Sequence, residues 1–530
     1  MAVRITVYGG ARQVGGNQVL VEDGPARWLF DFGIPFHQWG KFYEEYLQPR
    51  KAFGLLDFLT MGLVPPVKGL YRPDLEHPLV GQVFPDRPTV EVQGVLLSHA
   101  HLDHSGYISL LHPDIPVYAT LTTAVLAKAI QDTSRGDIER EVVYYTPQAP
   151  KRDDLLTNDP DASAVQRQFV VPADAPLTDA ARRFWGQSLW ARKSMKHTTL
   201  QTASALDKKH AVRCWPVDHS VPGACAWAVE TSAGWVAYTG DIRRHGARAQ
   251  DTQRFLDDLA QLRPRVLLCE GTRAPPGSRP SFTESDVAQR AREHLKSVQG
   301  GLVFADFGPR NVERLLIFHA LARDLGRQLV IFPKDAYLLD ALRTLDPSLP
   351  APGPETGIRL YAEPKIRQDA WEQDIRQRYE SALVTPKDVH QNQEAFILCF
   401  SLLDLNDLPT LRPRPGSLYL YSSHEAFDEE SGLDFDRLLN WLQHFQMRPV
   451  GVPQRGRATG LWLIPPEEEG LHASGHASGS DLVDMVRQVR PRTLLLVHAQ
   501  PEAYDYFVEH LSGTGIEVLM PRHGHTLEFA

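Results

Sequence analysis

Ser98-His99-Ala100-His101-Leu102-Asp103-His104-Ser105-Gly106 follows directly on an apolar run over residues 94–97. That run reads as a short buried strand, and the histidines begin where it ends. A strand sends alternate side chains to one face, so His99 and His101 can reach one ion. Asp103 and His104 turn with the following loop and can address a second. Imidazole together with carboxylate suits zinc, and also manganese or iron. Chance is a poor explanation for this cluster after an apolar run, even in a chain with 21 histidines.

One cluster supplies too few ligands for two ions, so the rest are expected at other strand ends. His219 follows a predicted strand at 212–217, and His498 follows one at 493–497. Asp241, in Tyr238-Thr239-Gly240-Asp241, follows another, and its carboxylate can bridge two metals. Two ions roughly 3.5–4 Å apart would activate a water and clamp a phosphodiester oxygen. The same arrangement also serves thioesters and lactams, so it does not identify the substrate.

The chain has 530 residues, which suggests two to four domains. It is 42% hydrophobic and 23% charged, ordinary values for a globular protein with a large core. The four cysteines, Cys214, Cys225, Cys269 and Cys399, are too few for a disulfide scaffold. Their spacing also excludes a Cys-rich structural zinc site. The net charge of −9 gives no general signature of a nucleic-acid binder, yet leaves room for a local basic channel. Arginine dominates over lysine, and the last 130 residues contain no lysine, a bias we attribute to genome base composition. Neither a signal-peptide pattern nor an 18-residue apolar run is present. The expectation is a cytoplasmic protein without membrane contact.

Short strands are predicted at 4–8, 18–22 and 28–32, and the Pro-rich stretch 34–90 should carry short helices. Strands at 225–231, 235–239 and 266–269 follow, the last ending at Glu270. Pro275, Pro276, Gly277 and Pro280 resemble a linker. Thr283 and Asp286 could cap a helix at about 286–298. Alternating strands and helices from 302 to 345, with strands at 396–400 and 418–421, predict a parallel α/β domain. Ser474-Gly475-His476-Ala477-Ser478 precedes a predicted helix at 481–489. No internal repeat is evident.

The His-x-His-x-Asp-His cluster, with Asp31, His219 and Asp241, resembles the metallo-β-lactamase fold. Glu270 in Cys269-Glu270-Gly271-Thr272-Arg273 resembles motif A of the β-CASP nucleases. His476 in Ser474–Ser478 resembles motif B, and His498 in Leu496-Val497-His498-Ala499 resembles motif C, 22 residues on. The sequence is thereby similar to the β-CASP family of metallo-β-lactamase-fold nucleases, and within it to the ribonuclease J branch.

The resemblance implies an α/β fold, an αββα sandwich with an inserted β-CASP α/β domain. The sandwich would occupy 1–274 and 456–530, and the insert 275–455. It implies that His99, His101 and His219 bind one metal, Asp241 bridges, and Asp103, His104 and His498 complete the second site. Asp31 would orient a histidine ligand. His476 would be the general acid, with Glu270 fixing its tautomer. Asp103 and Asp241 would share in catalysis as ligands. The Ser474, Gly475, His476, Ala477, Ser478 turn would bind a substrate phosphate. Arg310 and Asn311 are a weaker phosphate-binding pair.

The implied activity is two-metal hydrolysis of single-stranded RNA with Zn2+ or Mn2+, running 5′ to 3′ with endonuclease action as an addition. Single-stranded DNA presents nearly the same backbone and is a second substrate to test. Two competing readings are a small-molecule thioesterase or lactonase, and an inactive scaffold subunit. The complete ligand set argues against the scaffold. The sequence ends 32 residues after His498, where the branch carries a further domain, so assembly through that domain is not expected. Tyr421-Ser422-Ser423-His424-Glu425 replaces the usual Gly-Ser-Gln-Gly-type turn. The segment 185–210, with Trp190, Arg192, Lys193, Lys196 and His197, mixes basic and aromatic residues that could touch a single strand.

Overall fold

A computed structural model describes residues 2–44, 46–134, 138–152, 154–187, 195–203, 211–275, 281–308, 310–423, 429–456 and 462–530, the side chains of 429–433 excepted. Trp190, Arg192, Lys193, His424 and Glu425 lie outside the described residues. The chain forms two compact units. One comprises 1–244, 248–279 and 476–530, and the other comprises 245–247 and 280–475. The second unit therefore runs to Gly475, past the limit at residue 455 that the resemblance implied. Packing explains the difference. Val452 is buried in the second unit's core, with Trp462 against it. His472 bonds the carbonyls of Ser423 and Gly451.

The first unit is built on two facing sheets. The eight-stranded sheet runs Gln201–Ala203, Phe169–Pro172, Val117–Tyr118, Gly94–Leu96, Ala26–Phe32, Gln18–Asp23, Val3–Gly9, His525–Phe529. The six-stranded sheet runs Val212–Pro216, Cys225–Thr231, Gly234–Tyr238, Val266–Cys269, Thr493–Leu496, Glu517–Leu519. Alternation along Cys225–Thr231 shows why they face each other. Cys225, Trp227 and Val229 point into the core shared with Ile5, Val19, Trp28 and Phe30. Ala226 and Ala228 point the other way, into a core that holds residues of the helices Ala249–Leu262, Gly479–Val489 and Glu502–His510. The helix Leu121–Asp132 packs against Phe169–Pro172 of the eight-stranded sheet. This is the αββα sandwich.

The second unit holds a seven-stranded parallel sheet, ordered Leu383–Val384, Ile358–Tyr361, Gln328–Ile331, Phe396–Cys399, Val303–Asp306, Leu418–Tyr421, Arg448–Val450. The helices Glu284–Lys296, Val312–Asp324 and Pro333–Arg343 connect its early part. Thr283 caps the first of these reciprocally with Asp286, as the sequence predicted. Asn311 caps the second by accepting the Arg314 N–H, so its side chain is committed to the helix. The stretch 34–90 does carry short helices: Phe36–Gly40, Leu56–Thr60 and Pro78–Val83. Among the described residues no helix is long and apolar enough to cross a membrane.

Candidate metal centre

Nine side chains converge at the strand ends of the first unit. His99 and His101 follow Gly94–Leu96, and Asp103 and His104 sit in the first turn of a short helix, Leu102–Ser105. His219 lies in the loop before Cys225–Thr231. Asp241 follows Gly234–Tyr238, Glu270 follows Val266–Cys269, and His498 follows Thr493–Leu496. His476 precedes the helix Gly479–Val489. Three overlapping groups have ligand atoms all within 4.8 Å of one another. They are His99, His101, His219 and Asp241; then Asp103, His104, Asp241 and His498; then Asp241, Glu270, His476 and His498. Asp241 belongs to all three.

The backbone at Asp103 is held by close approach. Asn17 N–H donates to the Asp103 carbonyl at 3.0 Å, and Ile34 N–H to the Leu102 carbonyl at 2.9 Å. A Cβ on Gly33 would lie 1.7 Å from the Asp103 carbonyl oxygen, so glycine is required there. Asp31 and His498 both adopt left-handed backbone, φ 54° and 52°, where side-chain-bearing residues are uncommon.

Asp31 is a buried hub. Its carboxylate accepts from Ser98 N–H at 2.6 Å, Ser98 Oγ at 2.7 Å, His104 Nδ1 at 2.7 Å and the Tyr238 hydroxyl at 2.7 Å. The bond to His104 Nδ1 leaves Nε2 facing the cluster. His99 Nδ1 lies 3.0 Å from Ser98 Oγ, which relays it to Asp31. His498 Nδ1 contacts Thr272 Oγ1 at 2.9 Å, which turns its Nε2 to within 3.4 Å of Asp103 Oδ2. The sequence signal identified Asp31. Ser98, Tyr238, Asn17 and Thr272, which orient ligands or support Asp31, were not singled out as site residues. Two of them adjoin motif positions, Ser98 beside His99 and Thr272 two residues after Glu270, and that adjacency was the usable signal.

The donor set fits divalent cations. His99 Nε2 faces His101 Nδ1 at 3.1 Å, and His219 Nε2 faces the same atom at 3.3 Å. Asp241 Oδ2 lies 3.6, 3.2 and 3.8 Å from His99, His104 and His219 Nε2. Among the described residues, His104 Nε2 and Asp241 Oδ1 are buried with no hydrogen-bond partner. Such orphans are costly in a folded interior unless something else meets them. Burial, then the charge of His104, drives His99 well below the usual histidine range and keeps it a neutral donor. Burial acts against a charged His104, yet the carboxylates of Asp241, Asp103 and Asp31 outweigh it and hold it well above that range. The carboxylate field that favours a proton there would equally favour a metal cation. Burial would raise Asp103 and Asp241, but His104 above all keeps both ionised, far below the usual carboxylate range.

His476 sits beside this cluster with a partner of its own. Its Nδ1 donates to Glu270 Oε2 at 2.8 Å, and its Nε2 lies 3.9 Å from Asp241 Oδ2. Glu270 is held in turn by the Ile242 N–H at 2.7 Å. Burial lowers His476, but Glu270 and Asp241 raise it more, up to about 9.

The rest of the expected phosphate turn is otherwise engaged. Ala477 N–H donates to the Ile242 carbonyl at 2.7 Å. Ser478 caps the helix Gly479–Val489 through Asp481 N–H. Ser474 and Gly475 belong to the second unit, where the Ser474 carbonyl accepts from His245 Nε2 at 2.9 Å. Lys196 and His197 are exposed midway along the 185–210 segment.

The family model described as a Zn-dependent metallo-hydrolase RNA specificity domain matches residues 468–521. Ribonuclease J of Pyrococcus abyssi is 22% identical over 543 residues, covering 99% of this chain and 97% of that protein. Ribonuclease J of Mycobacterium tuberculosis is 21% identical over 515 residues, covering 94% of this chain and 68% of that protein. Ribonuclease J of Mycolicibacterium smegmatis is 25% identical over 333 residues, 62% of this chain and 44% of that protein. The crystal structure of a protein of unknown function from Enterococcus faecalis V583 superposes over 100% of both chains with a TM-score of 0.65 at 19% identity. That last likeness concerns the fold alone.

Proposed function

We propose that this chain, a metallo-β-lactamase-fold protein with a β-CASP-type insert and a likeness to ribonuclease J, is a metal-dependent ribonuclease. The observation that carries the reading is the placement of the His476–Glu270 pair beside a cluster arranged around Asp241. A small-molecule hydrolase of this fold needs the cluster but not the pair.

Residues His99, His101, His219 and Asp241 would hold one divalent cation, Zn2+ or Mn2+. Asp103, His104, His498 and Asp241 would hold a second. Bound there, the cations would polarise the phosphodiester and make a water more acidic. The chain's own residues do the remainder. Asp31, through Ser98 and His104, fixes two imidazoles in the tautomer that offers Nε2. Thr272 does the same for His498. Glu270 occupies His476 Nδ1, so the proton on Nε2 is the one directed at the cluster. His476 donates that proton to the leaving oxygen as the P–O bond breaks, and Glu270 stabilises the charged imidazole beforehand. Substrate is single-stranded RNA, taken from its 5′ end, with internal cleavage and single-stranded DNA as lesser activities.

The test is a time course on a 5′-monophosphorylated single-stranded RNA labelled at its 3′ end, with matching DNA in parallel and zinc or manganese added. Fragments that shorten progressively from the 5′ end support the reading. Turnover of thioesters or lactones, with both strands left intact, overturns it.

A further inference from the structure

We infer that the first unit carries a second RNA-binding site, a depression ringed by four arginines where two inner strands of the six-stranded sheet begin, at the end away from the candidate metal ligands. The inference rests on the ribonuclease reading for the identity of its ligand.

The depression, about 380 Å3, is lined by Arg263, Arg265, Arg490 and Arg492, and no carboxylate lines it. Its origin is a short motif used twice. Arg263-Pro264-Arg265 ends the helix Ala249–Leu262 and starts Val266–Cys269. Arg490-Pro491-Arg492 ends the helix Gly479–Val489 and starts Thr493–Leu496. The two strands are parallel neighbours, with Val266 opposite Thr493. Arg492 N–H donates to the Pro264 carbonyl and Thr493 N–H to the Arg265 carbonyl, both at 3.1 Å. Two segments 227 residues apart are thereby set side by side, and their guanidinium groups share one rim.

The same two strands lead at their other ends to Glu270 and His498. By strand rise, the arginine rim is roughly 17 Å from the metal ligands along the sheet. It is thus a separate feature of the fold.

Helix arrest alone does not account for these arginines. Arg263 and Arg490 occupy the left-handed position that ends each helix, φ 49° and 53°. Glycine fits that conformation without strain, whereas arginine does not. A cation does favour a helix C-terminus, but that explains neither Arg492 nor Arg265. In the second unit the same triplet, Arg412-Pro413-Arg414, also ends a helix at φ 44°. There Arg414 is taken up by the Gly300 carbonyl at 2.7 Å.

Several exposed arginines elsewhere in the chain pair with acids, as Arg248 does with Asp251 and Arg292 with Asp324. Among the described residues, Arg263, Arg490 and Arg492 are exposed and have no such partner. Arg265 stacks over Phe529 and donates to Thr493 Oγ1 at 3.2 Å, while its buried Nε has no hydrogen-bond partner. Glu517 accepts from Thr493 Oγ1 at 2.9 Å and does not line the depression. Like charges gathered without counter-ions, on a protein of net charge −9, favour a polyanion. Guanidinium groups are the preferred donors to phosphate oxygens.

The test uses the full chain with its metals, in the His476→Ala background to prevent cleavage. Fluorescence anisotropy is read with RNAs of about six and about thirty nucleotides over a salt series. The triple variant Arg263→Gln, Arg490→Gln, Arg492→Gln, at exposed positions, is compared with its parent. Melting temperature and metal content serve as folding controls.

We expect at least about tenfold weaker binding of the long RNA, and a log Kd against log salt slope smaller by about 2. The short RNA should bind equally to both proteins. Equal affinity for the long RNA would overturn the proposal. So would saturable binding of inorganic phosphate, lost in the triple variant, with long-RNA affinity unchanged, because the depression would then be a free-anion site. Cleavage of the short RNA by the wild-type enzyme reads the ribonuclease proposal separately.

Discussion

Glu270 and His476, 206 residues apart in the chain, form a part-buried 2.8 Å hydrogen bond at the rim of the candidate metal ligands. The bond decides which imidazole nitrogen is available to a substrate. The Glu270 charge also supplies the largest opposition to the burial that would discharge the ring. Replacing His476 by Ala should lower the rate of RNA cleavage by about a hundredfold to ten-thousandfold, the range for a general acid, and leave metal content unchanged. Elemental analysis beside single-turnover kinetics checks both halves.

Glu270→Gln keeps a bond to His476 but removes the charge. The folded-state value of His476, up to about 9, should fall. With His476 as the proposed general acid the protonated form is the active one, so activity is expected to be lost as pH rises through that value. The alkaline limb of the pH–rate profile should therefore move to lower pH in the variant. A limb that stays in place would remove Glu270 from this role.

Asp31→Asn leaves His104 Nδ1 and Ser98 without a carboxylate partner. Loss of such an outer partner typically costs about 10–100-fold in metal affinity. Competition with a coloured chelator measures it. Chelation of the wild-type protein should also lower its melting temperature, because His99, His101 and His219 then face one another with no cation between them. Adding back zinc or manganese should restore it.

Gly33→Ala is expected to displace the Asp103 carbonyl, which would sit 1.7 Å from the new methyl group. Activity should fall although no ligand has changed, and the melting temperature should fall with it. Gly62→Ala is the contrast for backbone strain, since its φ is 65° and a Cβ there meets nothing. That change should lower stability alone.

The second unit offers a prediction on stability. Burial pushes Asp306 and Asp335 up to about 7, with Tyr419 donating to Asp306 at 2.6 Å. An unfolded aspartate titrates near about 3.9. Between about pH 4 and pH 7 the unfolded chain releases protons that the folded chain keeps, so this contribution to stability falls as pH rises and then levels off. Asp306→Asn cannot ionise. Its melting temperature relative to wild type should rise between about pH 5 and about pH 8. No change in that difference would place the titration of Asp306 elsewhere.

Much of the site was legible because ligands sit at strand ends, and strand ends are marked by local patterns. Gly94–Leu96 stops at the histidine cluster, and Thr493–Leu496 stops just before His498. Thr283 and Asp286 announced their helix by the reciprocal cap, a signal contained in four residues. The limit of the second unit was less legible. Nothing local near residue 455 tells that His472 will bond the carbonyls of Ser423 and Gly451.

Sequence by itself determined the candidate ligand types, their order along the chain and the two periodicities that build a sandwich and a parallel sheet. These depend on local spacing, which a linear pattern records. Only the tertiary structure decided that Tyr238 and Ser98 converge on Asp31, that Thr272 turns His498, and that two Arg-Pro-Arg turns share a rim. Those relationships arise from the pairing of strands distant in sequence. Pairing is fixed by the burial of both faces of the six-stranded sheet at once, a condition that no single stretch of residues contains.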